Sequence, residues 1–272
     1  MRWTCMKERS SETMLCKDVM DVIEEAYPAD YAMDWDNVGL LVGRDDKEVK
    51  RIYVALDADD AAIEDAVQWG ADMLVTHHPM IFSGLKRINN LDFIGARILK
   101  LVRNDISYYA MHTNYDVLGM AELSGKKMEL KNPEVLEVTR EGEQPEGIGR
   151  VADLASPVPL SEVCWSVKDR FHLGAVKVFG DMEQIVSRIA ISPGSGKSMV
   201  KAALDKRADV LITGDIDHHT GIDAVAQGLA IIDAGHYGIE HIFIEDVKAY
   251  LEERLKGVEV KAAPVRHPFQ IV

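Results

Sequence analysis

The sequence has little cysteine and no secretory signal. Its three cysteines, Cys5, Cys16 and Cys164, are an odd number at spacings that fit no metal motif, which excludes a disulfide framework and a cysteine zinc site. Residues 1–13 are polar and lack the apolar stretch of a signal peptide. We therefore expect a cytoplasmic protein in a reducing compartment, with residues 1–16 as a flexible leader and residues 17–272 as one folded domain.

Long apolar runs and an excess of positive charge are also missing. No run reaches the roughly 18 to 20 residues that a transmembrane helix needs, which excludes a membrane span. The 45 acidic and 31 basic side chains give a formal charge of −14, the wrong sign for a broad nucleic-acid or anionic-membrane surface. The 272 residues, 47% of them hydrophobic, can bury a sizeable core. A local basic pocket for one small anion stays compatible with this composition.

Apolar periodicity predicts alternating strands and helices. The predicted elements are a helix from residue 17 to the stop at Pro28, strands 52–56, 73–76 and 106–111, and helices 61–69 and 94–102. Strands and helices of this length in alternation indicate βαβ units and a mostly parallel sheet. The predicted fold class is therefore α/β.

An internal repeat indicates two related lobes. Residues 51–76 align without a gap with residues 188–213, and 7 of the 26 aligned positions are identical. Both segments end in Ala-Asp-x-Leu-x-Thr, which favours duplication over a chance similarity of two βαβ units. We expect two α/β lobes with mostly parallel sheets, over about residues 17–135 and 150–272, joined by the polar loop 141–146.

Histidines and a carboxylate follow two predicted strands of the first lobe. His77 and His78 come directly after strand 73–76. The next strand runs into His112, and Asp116 lies four residues further on. Ligands of open α/β sheets bind at the carboxyl edge of the strands, so these groups are expected to converge there. Taken alone, a histidine pair in a loop is weak evidence for a ligand site.

A third motif follows the predicted strand 230–233 in the second lobe. His236 and Glu240 share one face if a helix includes both, although in isolation the motif is more typical of a helix start with a solvated glutamate. Together the three motifs offer imidazole nitrogens and carboxylate oxygens, which suit zinc, manganese, iron or cobalt and do not suit calcium. Five such groups favour two metal ions per chain, bridged by a carboxylate and a water and placed between the lobes.

Several dispersed segments occur in the order typical of a known family. They are Trp35-Asp36-Asn37-Val38-Gly39-Leu40, Thr76-His77-His78-Pro79, His112-Thr113-Asn114-Tyr115-Asp116, Gly214-Asp215 with His218-His219, Gly235-His236 with Glu240, and His267-Pro268-Phe269. From about Asp18 to Phe269 the chain resembles the NIF-three-like family, whose members are often named GTP cyclohydrolase I type 2 homologues.

The resemblance implies a dinuclear metal site and a toroidal homohexamer whose metal sites face an inner cavity. It implies that the metal ligands are His77, His78, Asp116, His236 and Glu240. The sequence departs from the family after Asp116, where residues 117–122 replace a Gly-Gly-x-Asn-Asp-like run. We expect a shortened or altered loop there, with changed substrate contacts and intact ligands.

The loop after the predicted strand 210–213 is a second source of polar groups. By the repeat alignment it takes the place of the His-His motif, so it is expected at the same sheet edge. Asp215, His218 and His219 are candidates for contacts with the metal ligands or the substrate, with a solvated loop as the alternative. Asp57, which follows the first strand, is a similar candidate.

Three other features are interpreted as structural. Asp36 and Asn37 are predicted turn residues. Residues 194–198 resemble a phosphate loop, but the motif requires glycine where Ile191 stands, which favours a tight strand-to-helix turn compatible with a small anion. Cys164 lies in an apolar helical pattern, which is typical of a core thiol rather than a nucleophile.

Two functions of different class fit these features. The first is a metal-dependent hydrolase of a nucleotide or related small molecule, in which His112 or His219 transfers protons and metal-activated water attacks. In a GTP cyclohydrolase reaction the attack would fall on C8 of guanine, and no guanine-recognition signature is visible. The second is a non-catalytic metal chaperone or regulatory interaction protein. Both predict metal binding, so turnover distinguishes them.

Overall fold

A computed structural model of the protein describes residues 13–272 as a mixed α/β fold, as predicted. The strands are β1 (Gly39–Val42), β2 (Arg51–Ala55), β3 (Met73–Thr76), β4 (Ser107–Ala110), β5 (Glu134–Arg140), β6 (Glu146–Pro159), β7 (Lys177–Phe179), β8 (Ile185–Ser195), β9 (Val210–Gly214), β10 (Ala230–Asp233) and β11 (Glu259–Ala262). The helices are α1 (Cys16–Ala26), α2 (Asp60–Trp69), α3 (Phe93–Arg103), α4 (Thr113–Tyr115), α5 (Ala121–Lys127), α6 (Leu160–Arg170), α7 (Met199–Asp205), α8 (His218–Ala226), α9 (His236–Glu240) and α10 (Ile242–Arg254).

The strands form two sheets that differ in strand direction. In the first sheet, with the order β1-β4-β3-β2-β11, β1 is antiparallel to its neighbour and the other pairs are parallel. In the second, with the order β5-β6-β8-β9-β10-β7, only the central β8, β9 and β10 pair in parallel within the described chain. The first sheet is mostly parallel, as predicted, whereas three of the five strand pairs in the second sheet are antiparallel, namely β5 with β6, β6 with β8, and β10 with β7.

The chain passes between the sheets at points that the sequence did not predict. The segment 141–146, expected to join the lobes, contains the turn of the β5–β6 hairpin inside the second sheet. The chain leaves the first sheet earlier, between α5 and β5. It later returns, because β11 pairs in parallel with β2. The polar composition of 141–146 is therefore that of a hairpin turn, and the strands of each sheet do not follow the expected lobe limits.

The predicted leader lies outside the described residues as far as residue 12. Its last residues belong to the fold, because Leu15 forms a β-bridge with Glu48 and Cys16 begins α1 and is buried. The Asp18 carboxylate accepts a hydrogen bond from the Leu15 N–H at 2.9 Å, which fixes the start of the helix.

The two halves of the internal repeat have the same local structure. Asp72 and Asp209, at equivalent positions, each accept two backbone N–H groups near the start of the preceding strand, at 2.8 and 2.9 Å and at 2.6 and 2.8 Å. β3 lies on β2 in the same register as β9 on β8. The aspartate of the shared Ala-Asp-x-Leu-x-Thr ending therefore fixes the strand pairing in both halves.

Side chains alternate between the two faces of each sheet and fill separate cores. Ile52 and Val54 of β2 join a central core with residues of both sheets and α10, while Tyr53 packs against α2 and α3. In the second sheet, Leu211 packs on the far side with α7 and α8. Cys164 joins the central core as predicted, and burial raises the pKa of its thiol. Every helix within residues 13–272 is too short or too polar to cross a bilayer.

Candidate metal centre

The carboxyl ends of three strands bring the predicted metal ligands together. His77 and His78 follow β3, and Asp116 begins a π-helical turn beyond β4. His236 and Glu240 are the first and last residues of α9, which follows β10. Three groups have ligand atoms within 4.8 Å of one another: His78, His236 and Glu240; His77, Asp116 and Glu240; and His77, His78 and His112. The five predicted ligands thus lie in one cluster, with His112 beside them.

Glu240 is buried at the centre of this cluster. Its Oε2 lies 3.0 Å from Nε2 of both His78 and His236, and these two nitrogens are 3.1 Å apart. The opposite ring nitrogens contact carboxylates at 2.7 Å, His78 Nδ1 with Asp57 and His236 Nδ1 with Asp215. Since each Nδ1–H donates to a carboxylate, the lone pairs on Nε2 of the neutral rings face each other and Glu240. With both rings neutral, three acceptor atoms therefore meet without a donor, whereas a protonated ring would donate its Nε2–H to Glu240.

His77 faces the same carboxylates from complete burial. Its Nδ1 donates to the Met111 carbonyl at 3.0 Å, so Nε2 lies 3.4 Å from Asp116 Oδ1 and 3.7 Å from Glu240 Oε1. Within the described residues, His77 Nε2 and Glu240 Oε2 are buried without a hydrogen-bond partner. A buried polar atom left unpaired is costly, so these atoms favour a bound proton or metal ion between them.

The charges of the cluster also favour a bound proton or metal ion. Burial alone would lower the pKa of His77, but Asp116 and Glu240 raise it to about 10. For His78 and His236, burial is likewise outweighed by the carboxylates around each ring, which raise the pKa to about 9. Although burial opposes it, the same contacts hold the pKa of Glu240 well below its usual range. Protons or metal ions can balance the negative charge of these carboxylates, and the nitrogen and oxygen donors fit a divalent transition metal.

Asp36 holds His112 at the edge of the cluster. It was predicted to be a turn residue, yet its side chain is fully buried. It accepts hydrogen bonds from His112 Nδ1 at 2.9 Å and from the Thr113 N–H and hydroxyl at 3.0 and 2.6 Å. Burial opposes ionisation, but these hydrogen bonds hold the pKa of Asp36 well below its usual range. The turn interpretation missed this role because the partners of Asp36 lie more than 70 residues further along the chain.

The predicted histidine pair of the second lobe lies apart from these contacts. His218 and His219 are exposed in the first turn of α8, with their ring centroids 5.2 Å apart. Asp217 caps that helix by accepting a backbone N–H of its first turn at 3.0 Å. Asp215, from the same loop, does reach the cluster through His236. In the described chain, no contact joins His219 to the cluster.

Two glycines outside the predicted site residues make room for the ligands. A Cβ on Gly194, where φ is +81°, would lie 2.6 Å from Glu240 Oε1. A Cβ on Gly214 would lie 2.6 Å from the backbone nitrogen of His236. The repeat alignment could have identified Gly194 as a site residue, because it aligns Gly194 with Asp57. The segment 194–198 is the strand-to-helix turn that was predicted.

The segment after Asp116, where a shortened or altered loop was expected, is helical. The π-helical turn Asp116–Met120 joins α4 to α5 without a break. Gly119 permits this path because a Cβ there would overlap the Tyr115 ring. π-helical turns insert one extra residue and are frequent at functional sites. Here the insertion begins at Asp116 itself.

Known proteins match this chain over nearly its whole length. Residues 14–268 match the family described as Duf34/NIF3 (NGG1p interacting factor 3). A Clostridium perfringens protein named GTP cyclohydrolase 1 type 2 homolog is 31% identical over 263 residues, covering 95% of this chain and 100% of that protein. A Streptococcus pneumoniae protein of the same name is 34% identical over 252 residues, covering 88% and 91%.

Solved structures share the fold. A Bacillus cereus protein related to NIF3 matches with a TM-score of 0.91 at 24% identity, covering 96% of this chain and 100% of the other. Reduced HcgD from Methanocaldococcus jannaschii matches with a TM-score of 0.81 at 31% identity, covering 93% and 98%. The arrangement of both sheets is therefore shared with these proteins.

Proposed function

The chain belongs to the Duf34/NIF3 family, and on that premise we propose that it binds two divalent metal ions and hydrolyses a nucleotide or related small molecule. The observation that carries the proposal is the convergence of His78 Nε2, His236 Nε2 and the buried Glu240 Oε2 within 3.1 Å of one another. The name of the relatives, GTP cyclohydrolase 1 type 2 homolog, favours a nucleotide as the substrate.

Two of the three donor groups share Glu240, and together they contain all five predicted ligands. The residues that would hold the two ions are His77, Asp116 and Glu240 for one, and His78, His236 and Glu240 for the other. When bound, the ions supply positive charge that makes water more acidic and stabilises negative charge developing on the substrate. The carboxylates that accept the Nδ1–H of His78 and His236 keep both rings oriented for binding.

His112 is the group we propose to transfer protons. Asp36 accepts its Nδ1–H, which leaves the Nε2 lone pair free to take a proton from water and return it to the leaving group. The His112 side chain is 14% exposed, so both the substrate and solvent can reach it. His219 stays a prediction for the same role, since it is exposed on α8 and no described contact supports it.

Elemental analysis followed by a turnover screen tests this proposal. The full chain is loaded with zinc, manganese, iron or cobalt and assayed with nucleotides and phosphoesters. We expect two ions per chain and a hydrolysis rate that falls about 100-fold or more in His112→Asn, with the ions retained. His172→Asn, at an exposed histidine two residues beyond α6, is the matched control.

Each other outcome has a defined meaning. Bound ions without any turnover would contradict the hydrolase and favour the non-catalytic metal-binding protein. No bound ions would contradict both. Loss of an ion in His112→Asn would make His112 a ligand instead of the proton-transfer group.

We also propose a toroidal homohexamer in the cytoplasm. Exposed apolar side chains support an association surface, since Leu91 is 86% and Phe93 64% exposed. The buried thiols of Cys16 and Cys164 suit a reducing compartment. Six chains of 30.3 kDa give about 182 kDa, which light scattering distinguishes from a monomer.

A further inference from the structure

Two exposed aromatic side chains stand beside His112, and we propose that they bind a planar heteroaromatic ring of nucleobase size. Trp35 is 65% and Phe82 is 56% exposed. Each ring centroid lies 6.0 Å from that of His112, with interplanar angles of 75° for Trp35 and 86° for Phe82. The inference rests on the proposed function, because it names the class of substrate for the same site.

Partly buried hydrogen bonds hold the two loops that carry these aromatics. Asp36, next to Trp35, is anchored to Thr113 by two hydrogen bonds. Asn37 donates its side-chain N–H to the carbonyl of Ile81 at 2.6 Å, which ties the Trp35 loop to the residue before Phe82. The two aromatic rings therefore project from a fixed frame, and a fixed frame reduces the entropy lost when a ligand binds.

The position of the pair connects it to the metal cluster. The His112 ring lies 5.2 Å from the ring of His77 and 5.6 Å from that of His78, measured between centroids. A flat ring stacked on Trp35 or Phe82 would consequently place its edge near the proton-transfer group and the ligands. Aromatic faces stack with every nucleobase, so this contact selects planar rings as a class.

Charge near Phe82 favours a ring that carries an anionic group. Lys86 and Arg87 follow Phe82 in the same exposed loop. The chain as a whole carries −14 charges, so its long-range field does not attract anions. A nucleoside monophosphate combines the flat ring with the anionic group and is therefore the probe of choice.

Ligand titration of the metal-loaded full chain tests the inference. The probes are GMP, AMP and ribose 5-phosphate, which lacks the ring. We expect both nucleotides to bind at least about fivefold more tightly than ribose 5-phosphate, and Trp35→Leu and Phe82→Leu each to weaken nucleotide binding at least about fivefold. Nucleotides should quench tryptophan emission in the wild-type chain and much less in Trp35→Leu. Trp165→Leu, at a tryptophan 68% exposed on α6, should retain the wild-type affinity.

Several results would overturn the inference. They are no nucleotide binding at millimolar concentration, equal affinity for ribose 5-phosphate, and wild-type affinity in both aromatic variants. A change in the number of associated chains with Trp35→Leu, at unchanged nucleotide affinity, would instead identify an interface between copies.

Metal content and turnover, measured on the same samples, separate this inference from the proposed function. Two ions and hydrolysis with aromatic variants of unchanged affinity would overturn the stacking site and leave the proposed function standing. Ring-dependent nucleotide binding to a chain that takes up no metal would overturn the proposed function and leave the stacking site standing.

Discussion

The two halves of the internal repeat contribute different chemistry to one site from equivalent positions. In the first half, Asp57 orients His78, whose Nε2 faces the centre of the cluster. The equivalents in the second half are Gly194 and Asp215. Asp215 is itself an orienting carboxylate, and Gly194 leaves the space that Glu240 occupies. The same backbone thus carries a ligand, His78, and its orienting carboxylate, Asp57, in the first half. In the second half it carries an orienting carboxylate, Asp215, and the space left by Gly194.

Neither half has a complete cluster. Glu240 extends from the second half to His77 and His78 of the first, while His236 lies against His78. After the strands of the second sheet the chain returns to the first sheet, where β11 pairs with β2. The two sheets are therefore linked both before and after the chain forms the second sheet. We expect substitutions to affect metal binding according to whether they act on both halves, one half or neither.

The largest effect is expected from Glu240→Ala, because Glu240 contacts ligands of both halves. Metal content should fall from two ions to at most one per chain, measured by elemental mass spectrometry. Glu245→Ala, at an exposed position of α10, is the matched control and should keep both ions. Unchanged stoichiometry in Glu240→Ala would remove this residue from the site.

The orienting carboxylates test whether the two halves act alike. Asp57→Asn and Asp215→Asn should each weaken metal affinity by about 10- to 100-fold, because each loses the charge that orients a ligand imidazole. Competition with a fluorescent chelator measures the affinity, and Asp223→Asn on α8 is the control. Weaker metal affinity in only one of the two variants would show that the two halves are equivalent in backbone structure alone.

The space at Gly194 distinguishes steric fit from backbone strain. Gly194→Ala and Gly228→Ala both place a side chain at positive φ, +81° and +89°, so each should lose about 1 kcal/mol or more of unfolding free energy. Only the first adds a Cβ beside Glu240, since no described atom lies within 4 Å of a Cβ on Gly228. Metal affinity should therefore fall in Gly194→Ala alone. Equal affinities in both variants would contradict the steric argument.

The smallest effect is expected from His219→Ala. The side chain is exposed and contacts His218, so the free energy of unfolding should change by less than about 0.5 kcal/mol. Metal content should stay at the wild-type value in elemental analysis. A lost ion would mean that His219 reaches a metal site through a contact absent from the single chain.

Local pattern was sufficient to predict where several residues of the candidate site lie. The ends of short buried strands locate His77, His78 and His236, because the carboxyl edge of a parallel sheet is set by the direction of its strands. The repeat alignment also placed Asp215 at this edge. The predictions at the strand ends depend on residues close together in the chain.

Features that depend on distant partners were not predictable. Asp36 has the neighbours of a turn residue, and its burial follows from contacts with His112 and Thr113. The pairing of β11 with β2 joins residues about 200 positions apart, for which the local pattern has no signal. The π-helical turn at Asp116 depends on how Gly119 packs against a tyrosine ring.

The number of metal ions per chain tests the central claim most directly. The wild-type chain is purified without chelator or affinity-resin metal, incubated with zinc, manganese, iron or cobalt, desalted and analysed by elemental mass spectrometry. We predict about two ions per chain, because two donor sets share Glu240. A value near zero after all four incubations would contradict the claim that these buried histidines and carboxylates form a metal centre.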